Sequence, residues 1–286
     1  VNEPNAKNSN NKELDTVEIK DYTEANRRSW NQVAARHHKG KEERKKLFRQ
    51  KGYSVLDETI TAKLKAYGLE GKSVAHLCCN DGTETLSLKN LGAASCIGFD
   101  ISDLAIDEAR KLAIDAGIEC EFMQTDVYEI PEQYSGTFDL IYISAGSLIW
   151  FPDLSLFFQM VQRLLKDGGN VLIYDIHPVL FMLDENDKEH PLEMKFSYFI
   201  DEPRVYNEGL DYINKETYEG APYYVFDPTL SHIMSCTLSN GLMIQSFDEY
   251  EHDISALYDH LKDQEVKLPK CYVLSARKQR NALLMD

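Results

Sequence analysis

A chain of 286 residues, 43% of them hydrophobic, can bury one sizeable core, and it contains no run of about 18 apolar residues that could span a bilayer. With 47 acidic against 31 basic side chains its formal charge is -16, which repels phosphate backbones and argues against a nucleic-acid partner unless a local basic face exists. The first residues lack the apolar core of a signal peptide, and the 6 cysteines show no CxxC spacing and no histidines placed for zinc, so a cytoplasmic protein with reduced thiols, no metal and no membrane association is expected.

Residues 1–20 are rich in Asn and Lys and too poor in large apolar groups to offset ordering entropy, which predicts a disordered tail. A helical cap is expected over 21–67. YTEANRRSWNQVAARHH places Tyr22, Trp30 and Val33 at spacings compatible with one helix face, and VLDETITAKLKAYGL reads as a second helix. Between them KGKEERKKLFRQK, from Lys39 to Lys51, is the one basic stretch; because it also carries Glu42 and Glu43, a solvated helix face fits better than a phosphate site. His37 and His38 would point about 100° apart on a helix, which makes a poor metal pair.

Over 68–180 short apolar runs alternate with helical patterns, the mark of βαβ units and a parallel sheet. Strands are predicted at 73–79, 95–100, 119–124, 138–144 and 170–175. Helices follow the first strand (TETLSLKNL, stopping at Gly92) and the second (capped by Ser102, stopping at Gly117); another, DLSLFFQMVQRLLK, runs to a left-handed stop at Gly168–Gly169. The rhythm changes at 181–230, where pieces such as KFSYFI and APYYVF, with Tyr198, Tyr206, Tyr212, Tyr218, Tyr223 and Tyr224, suggest an antiparallel insertion or lid. Residues 231–278 supply a last helix, SHIMSCTLSNGL, and two closing strands, LMIQSFDEYEHD and KCYVLSARK, before a tail at 279–286.

The first strand runs into His76-Leu77-Cys78-Cys79-Asn80-Asp81-Gly82-Thr83-Glu84, a loop of small and turn-forming residues before a helix. A pyrophosphate loop would be richer in glycine, and Asp81 and Glu84 would repel a diphosphate. A cationic ligand is the easier guest, and S-adenosylmethionine, with its sulfonium and ammonium groups, is such a ligand. Asp100 ends the second strand, where a carboxylate can take both ribose hydroxyls or cap the next helix; Asp126 follows the third, where it can take the adenine amino proton or simply form a turn.

In order and spacing, these features resemble the core of class I S-adenosylmethionine-dependent methyltransferases. SVAHLCCNDGTETLSL, NRRSWNQVAARHH and DIHPVLFML are more closely similar to a bacterial subgroup whose first loop reads L-H-L-x-C-x-x-G-x-x-T-L-S. The resemblance implies an α/β, Rossmann-like doubly wound sheet of seven mostly parallel strands, closed by an antiparallel hairpin, with an N-terminal helical cap and an antiparallel insertion after strand five. It implies S-adenosyl-L-methionine as cofactor, held by Tyr22, Trp30, His76, Cys78, Cys79, Asn80, Gly82, Thr85, Asp100, Ile101, Asp126, Val127 and Ser144. His76 stands where the wider superfamily carries an acid, Cys78 and Asn80 replace two glycines, and Asp167 replaces a proline.

Trp150 and His177 fall beyond strands four and five, on the edge where open α/β sheets bind ligands. Both are candidates for the substrate pocket, and His177 is the candidate base, against packing or turn-shaping roles. A small-molecule methyltransferase is the favoured reading. A nonenzymatic S-adenosylmethionine-binding regulatory module is the alternative, and a nucleotide-binding oxidoreductase is disfavoured by the glycine-poor loop.

Overall fold

The computed structural model describes residues 16–36, 41–209 and 219–280. The expectations for residues 1–15, His37, His38, Lys39, Tyr212, Tyr218 and 281–286 lie outside them.

Five apolar segments form the parallel part of the sheet: β1 (Ser73–Leu77), β2 (Ser95–Asp100), β3 (Glu121–Gln124), β4 (Phe138–Ile143) and β5 (Leu165–Ile176). β8 (Leu242–Tyr250) and β9 (Cys271–Lys278) complete the order β3-β2-β1-β4-β5-β9-β8, with β9 antiparallel to both neighbours. The expected seven-stranded, mostly parallel architecture is borne out. Helices cover both faces, which is why β4 reads as a continuous apolar run: Leu140, Ile141, Tyr142 and Ile143 are all buried. α6 (Leu154–Leu164) and α7 (Leu230–Ser239) pack Phe157, Phe158, Val161 and Ile233 on one face; α3 (Glu58–Tyr67) and α4 (Thr83–Asn90) pack Ile60, Leu64 and Leu88 on the other. α5 (Asp103–Ala116) is capped by Ser102, which accepts from the Ala105 N–H, and closed by left-handed Gly117.

Several boundaries move for local reasons. β1 stops at Leu77 because Cys78 turns to φ 57°. α6 ends at Leu164, four residues before Gly168; that glycine's left-handed turn (φ 78°) falls inside β5, beside an irregularity in its pairing with β4. Among the described residues three helices precede β1: α1 (Thr16–Arg36), which begins within the expected tail, α2 (Lys41–Phe48), on the basic stretch read as a helix face, and α3. The basic stretch is less solvated than its charge suggests. Phe48 is in the core, Arg44 bonds Asp81 at 2.9 Å, and Lys45 pairs with Glu42 and Asp115.

In the insertion, APYYVF lies on β7 (Glu219–Val225), paired antiparallel with β6 (Arg204–Glu208). KFSYFI alternates like a strand but has no strand partner among the described residues; Lys195 and Phe196 N–H groups donate to the Met182 carbonyl instead, and Phe199 is 77% exposed.

Candidate active site

The sheet order reverses between β1 and β4, and at the carboxyl ends of these strands lies a cavity of about 770 Å³. Its floor is the loop after β1, where Cys78 (φ 57°), Asn80 (φ 48°) and Gly82 (φ 76°) are all left-handed. A non-glycine residue in that region costs roughly 1–2 kcal/mol, so the surroundings must hold it. Asp100 does so: its carboxylate accepts from the N–H of Asn80 and of Ser102, each at 2.8 Å, tying the loop to the start of α5. Cys78 and Asn80 thus adopt the backbone that glycine would. Gly82 itself faces inward, where a Cβ would come within 2.7 Å of Ala109 and Phe122.

His76, on β1, is buried, with Nδ1 2.9 Å from Thr85 Oγ1 and Nε2 3.1 Å from Ser144 Oγ. Burial pulls its pKa down to about 3, so the ring is neutral. Glu84, in the first turn of α4, turns into the same space: its Oε2 lies 3.7 Å from His76 Nε2 and, among the described residues, is buried without a hydrogen-bond partner. Burial pushes this carboxyl up to about 7. Burial likewise raises Asp100, against the N–H groups it accepts, and Asp126, against hydrogen bonds from Thr23 and the Tyr128 N–H.

One acid shapes the site from behind. Asp175, at the end of β5, is buried and accepts from the N–H groups of Gly146 (2.5 Å), Ile176 (2.7 Å) and Leu148 (3.1 Å), fixing the turn after β4. Burial raises it to about 6, against those hydrogen bonds.

The roof comes from distant sequence. α1 docks on β7 through Asn26, whose side chain donates to the Tyr224 carbonyl (3.0 Å) and accepts from its N–H (2.8 Å), in the manner of a strand neighbour. Arg27 and Asn31 hold Asp103 at 2.6 and 2.7 Å, fastening α1 to the start of α5. Trp30 meets Trp150 edge-on at 5.2 Å, and Trp150 leans on Tyr223 at 5.8 Å.

Of the residues singled out from sequence, Trp30, His76, Cys78, Cys79, Asn80, Asp100, Ile101, Asp126, Val127, Ser144 and Trp150 line this one cavity. Four do not. Tyr22 packs edge-on against Tyr224 and Phe226; the helix period brings Thr23, Asn26 and Trp30 to the cavity instead. Gly82 and Thr85 support the loop from within, Thr85 by holding His76.

His177 is the largest departure. β5 runs to Ile176, which lines the cavity, and the next side chain points to the other side. His177 is buried, accepts from the Val179 N–H at 3.1 Å through Nδ1 and meets Glu249 at 2.9 Å through Nε2, with burial lowering its pKa. Both ring nitrogens are engaged by the protein, which matches the turn-shaping role. The tyrosines divide too: Tyr206 and Tyr223 line the cavity, whereas the Tyr198 hydroxyl accepts from the Leu230 N–H.

Sequence reasoning passed over Thr23, Asn26, Asp175, Arg204 and Asp227, and noticed Glu84 only for its charge. The spacing of Thr23, Asn26 and Trp30 was a legible signal; the others depend on distant contacts. Outside the cavity, Asp187, His190 and Glu193 approach one another at ligand spacing, with Lys195 on Asp187 at 2.6 Å. No helix among the described residues is long and apolar enough to cross a membrane.

Residues 74–169 match the family model for a methyltransferase domain. It is 28% identical over 145 residues to a ribosomal RNA large subunit methyltransferase I of Shewanella amazonensis, covering 44% of this chain and 36% of the relative. It is 31% identical over 107 residues to a ubiquinone biosynthesis O-methyltransferase of Cronobacter sakazakii, covering 37% and 43%. The matches thus span less than half the length of these curated relatives. Among solved structures, an S-adenosylmethionine-dependent methyltransferase from Mesorhizobium loti shares the fold with TM-score 0.54 at 21% identity, over 76% of this chain and 96% of that one. The geranyl diphosphate C-methyltransferase of Streptomyces coelicolor, solved with S-adenosyl-L-homocysteine, gives 0.53 at 11% identity, covering 78% of each.

Proposed function

We propose that this chain transfers a methyl group from S-adenosylmethionine to a small molecule held between the sheet edge and the β6–β7 insertion. The observation that carries this reading is the set of Glu84, Asp100 and Asp126 along one cavity at the switch of the sheet. The fit to the cofactor rests on Glu84, whose buried Oε2 lacks a hydrogen-bond partner among the described residues, as a site for an ammonium group would. Glu84 then supplies, from α4, the acid that the superfamily carries at the position of His76. Asp100 accepts from backbone N–H groups at its two oxygens and has lone pairs left for the ribose hydroxyls. Asp126 and Val127 take the adenine edge, and Ile101, Cys78 and Cys79 pack around it.

The bound cofactor supplies an electrophilic methyl group on a sulfonium. The chain's own part is to hold the acceptor in line and keep water away, a role suited to Trp30 and Trp150. A small acceptor is supported by the roof of α1 and β7 and by the acidic lining, both unfavourable to a polynucleotide. The O-methyltransferase relative is consistent with an oxygen acceptor. Calorimetry with S-adenosylhomocysteine tests the reading. Binding is expected, and Asp100→Ala should weaken it by about 1–3 kcal/mol; no heat at millimolar ligand would overturn the proposal.

A further inference from the structure

Arg204, which opens β6, and Asp227, two residues beyond β7, meet at the mouth of the hairpin because Arg204 pairs in register with Val225. Both line the cavity. Arg204 Nη2 contacts Asp227 Oδ2, and the Asp227 side chain is only 9% exposed. The pair is incomplete. Arg204 Nε and Asp227 Oδ1 are both buried and, among the described residues, have no hydrogen-bond partner. One N–H donor and one carboxylate acceptor are therefore left unmatched in the lobe under the insertion, where a lost hydrogen bond is most costly.

The walls beside them are aromatic. The guanidinium lies over the Phe196 ring at 4.9 Å, and the rings of Tyr206 and Tyr223 stack at 5.2 Å and 15°. A flat ligand suits such walls. A hydroxyl or a primary amide brings a donor and an acceptor together and can satisfy both unmatched groups. A carboxylate would satisfy Arg204 while facing Asp227, and an ammonium would do the reverse; because the pair is already neutral, either charge would meet a repulsive partner.

We infer that the Arg204–Asp227 pair is the acceptor-binding anchor of the cavity and selects a neutral, planar molecule bearing a hydroxyl or amide group, an inference that rests on the methyl-transfer function proposed above. If the pair serves only to fasten β6 to the segment after β7, its replacement moves stability and leaves ligand preference alone.

The test is calorimetry on the full chain loaded with S-adenosylhomocysteine, using phenol, benzamide, benzoate and benzylammonium as probes at millimolar concentration. Phenol and benzamide are expected to bind about tenfold more tightly than the charged pair, and Asp227→Asn should weaken phenol about tenfold while leaving the affinity for S-adenosylhomocysteine unchanged. Tighter binding of benzoate or benzylammonium, no binding of either neutral probe, or phenol affinity within twofold in Asp227→Asn would overturn the anchor. The ranking of the four probes on the unaltered protein decides the matter even where Asp227→Asn does not fold. Failure of S-adenosylhomocysteine itself to bind would instead strike the methyl-transfer reading, and the probe ranking without it would still test the anchor.

Discussion

Replacing Glu84 by Gln should make the protein more stable at neutral pH and more sensitive to acid, and replacing His76 by Gln should make it less sensitive. The folded protein keeps His76 neutral down to about pH 3, whereas an unfolded chain protonates it near 6.5. Acidification through that window therefore favours the unfolded chain, and between pH 7 and 4 the loss is about 3 kcal/mol at roughly 1.4 kcal/mol per pKa unit. Glu84 acts in the opposite sense. Its folded value of about 7 lies above the usual 4.5, so the folded protein takes up a proton first and gains stability as pH falls through that interval. The gain would reach about 3 kcal/mol, but the side chain is 31% exposed, and halving it for solvent leaves about 1.5 kcal/mol. Urea unfolding at pH 7, 5.5 and 4 provides the assay. Relative to the unaltered protein, Glu84→Gln should lead by about 1.5 kcal/mol at pH 7 and lose that lead by pH 4. His76→Gln should gain about 3 kcal/mol over the same fall. Differences that stay constant within about 0.5 kcal/mol across the three pH values would refute the opposed titration of this pair.

Three further outcomes follow from the same geometry. Gly82→Ala combines a left-handed backbone with a Cβ 2.7 Å from Ala109 and Phe122, and should cost about 2–4 kcal/mol in urea unfolding; a change under about 0.5 would mean the loop is softer than described. Asp175→Asn replaces a two-oxygen acceptor of three N–H groups with a single carbonyl, and should cost about 1–3 kcal/mol and weaken S-adenosylhomocysteine by loosening the turn after β4. It should also flatten the stability profile between about pH 3.8 and 6, where Asp175 favours the folded state increasingly as pH falls; an unaltered profile would refute its raised pKa. Deleting residues 1–15 should leave S-adenosylhomocysteine binding intact, whereas deletion through Arg36 removes Asn26 and Trp30 from the roof and should abolish it; equal calorimetric affinity in the two truncations would show that α1 is an outer wall.

What the sequence determined by itself is what short-range chemistry can encode. Apolar runs bounded by turn residues placed the parallel strands, Ser102 and Gly117 marked the ends of α5, and the loop from His76 to Glu84 with Asp100 and Asp126 located the sheet edge where the cavity lies, because backbone preference and hydrophobic period are properties of a few consecutive residues. The tertiary structure decided which side chains face the cavity. KFSYFI alternates as a strand should, yet a strand needs a partner edge, and among the described residues APYYVF found one in β6 whereas KFSYFI did not. His177 was placed beyond strand five, but one more residue of β5 sends its ring away from the cavity and onto Glu249. The roof depends on Asn26 meeting Tyr224, 198 residues away, and the Arg204–Asp227 pair on the β6–β7 hairpin. The charge state of Glu84 is equally a matter of placement: its type and position are written in the chain, while its burial beside His76, and hence its raised pKa, exists only once α4 packs against β1 and β4.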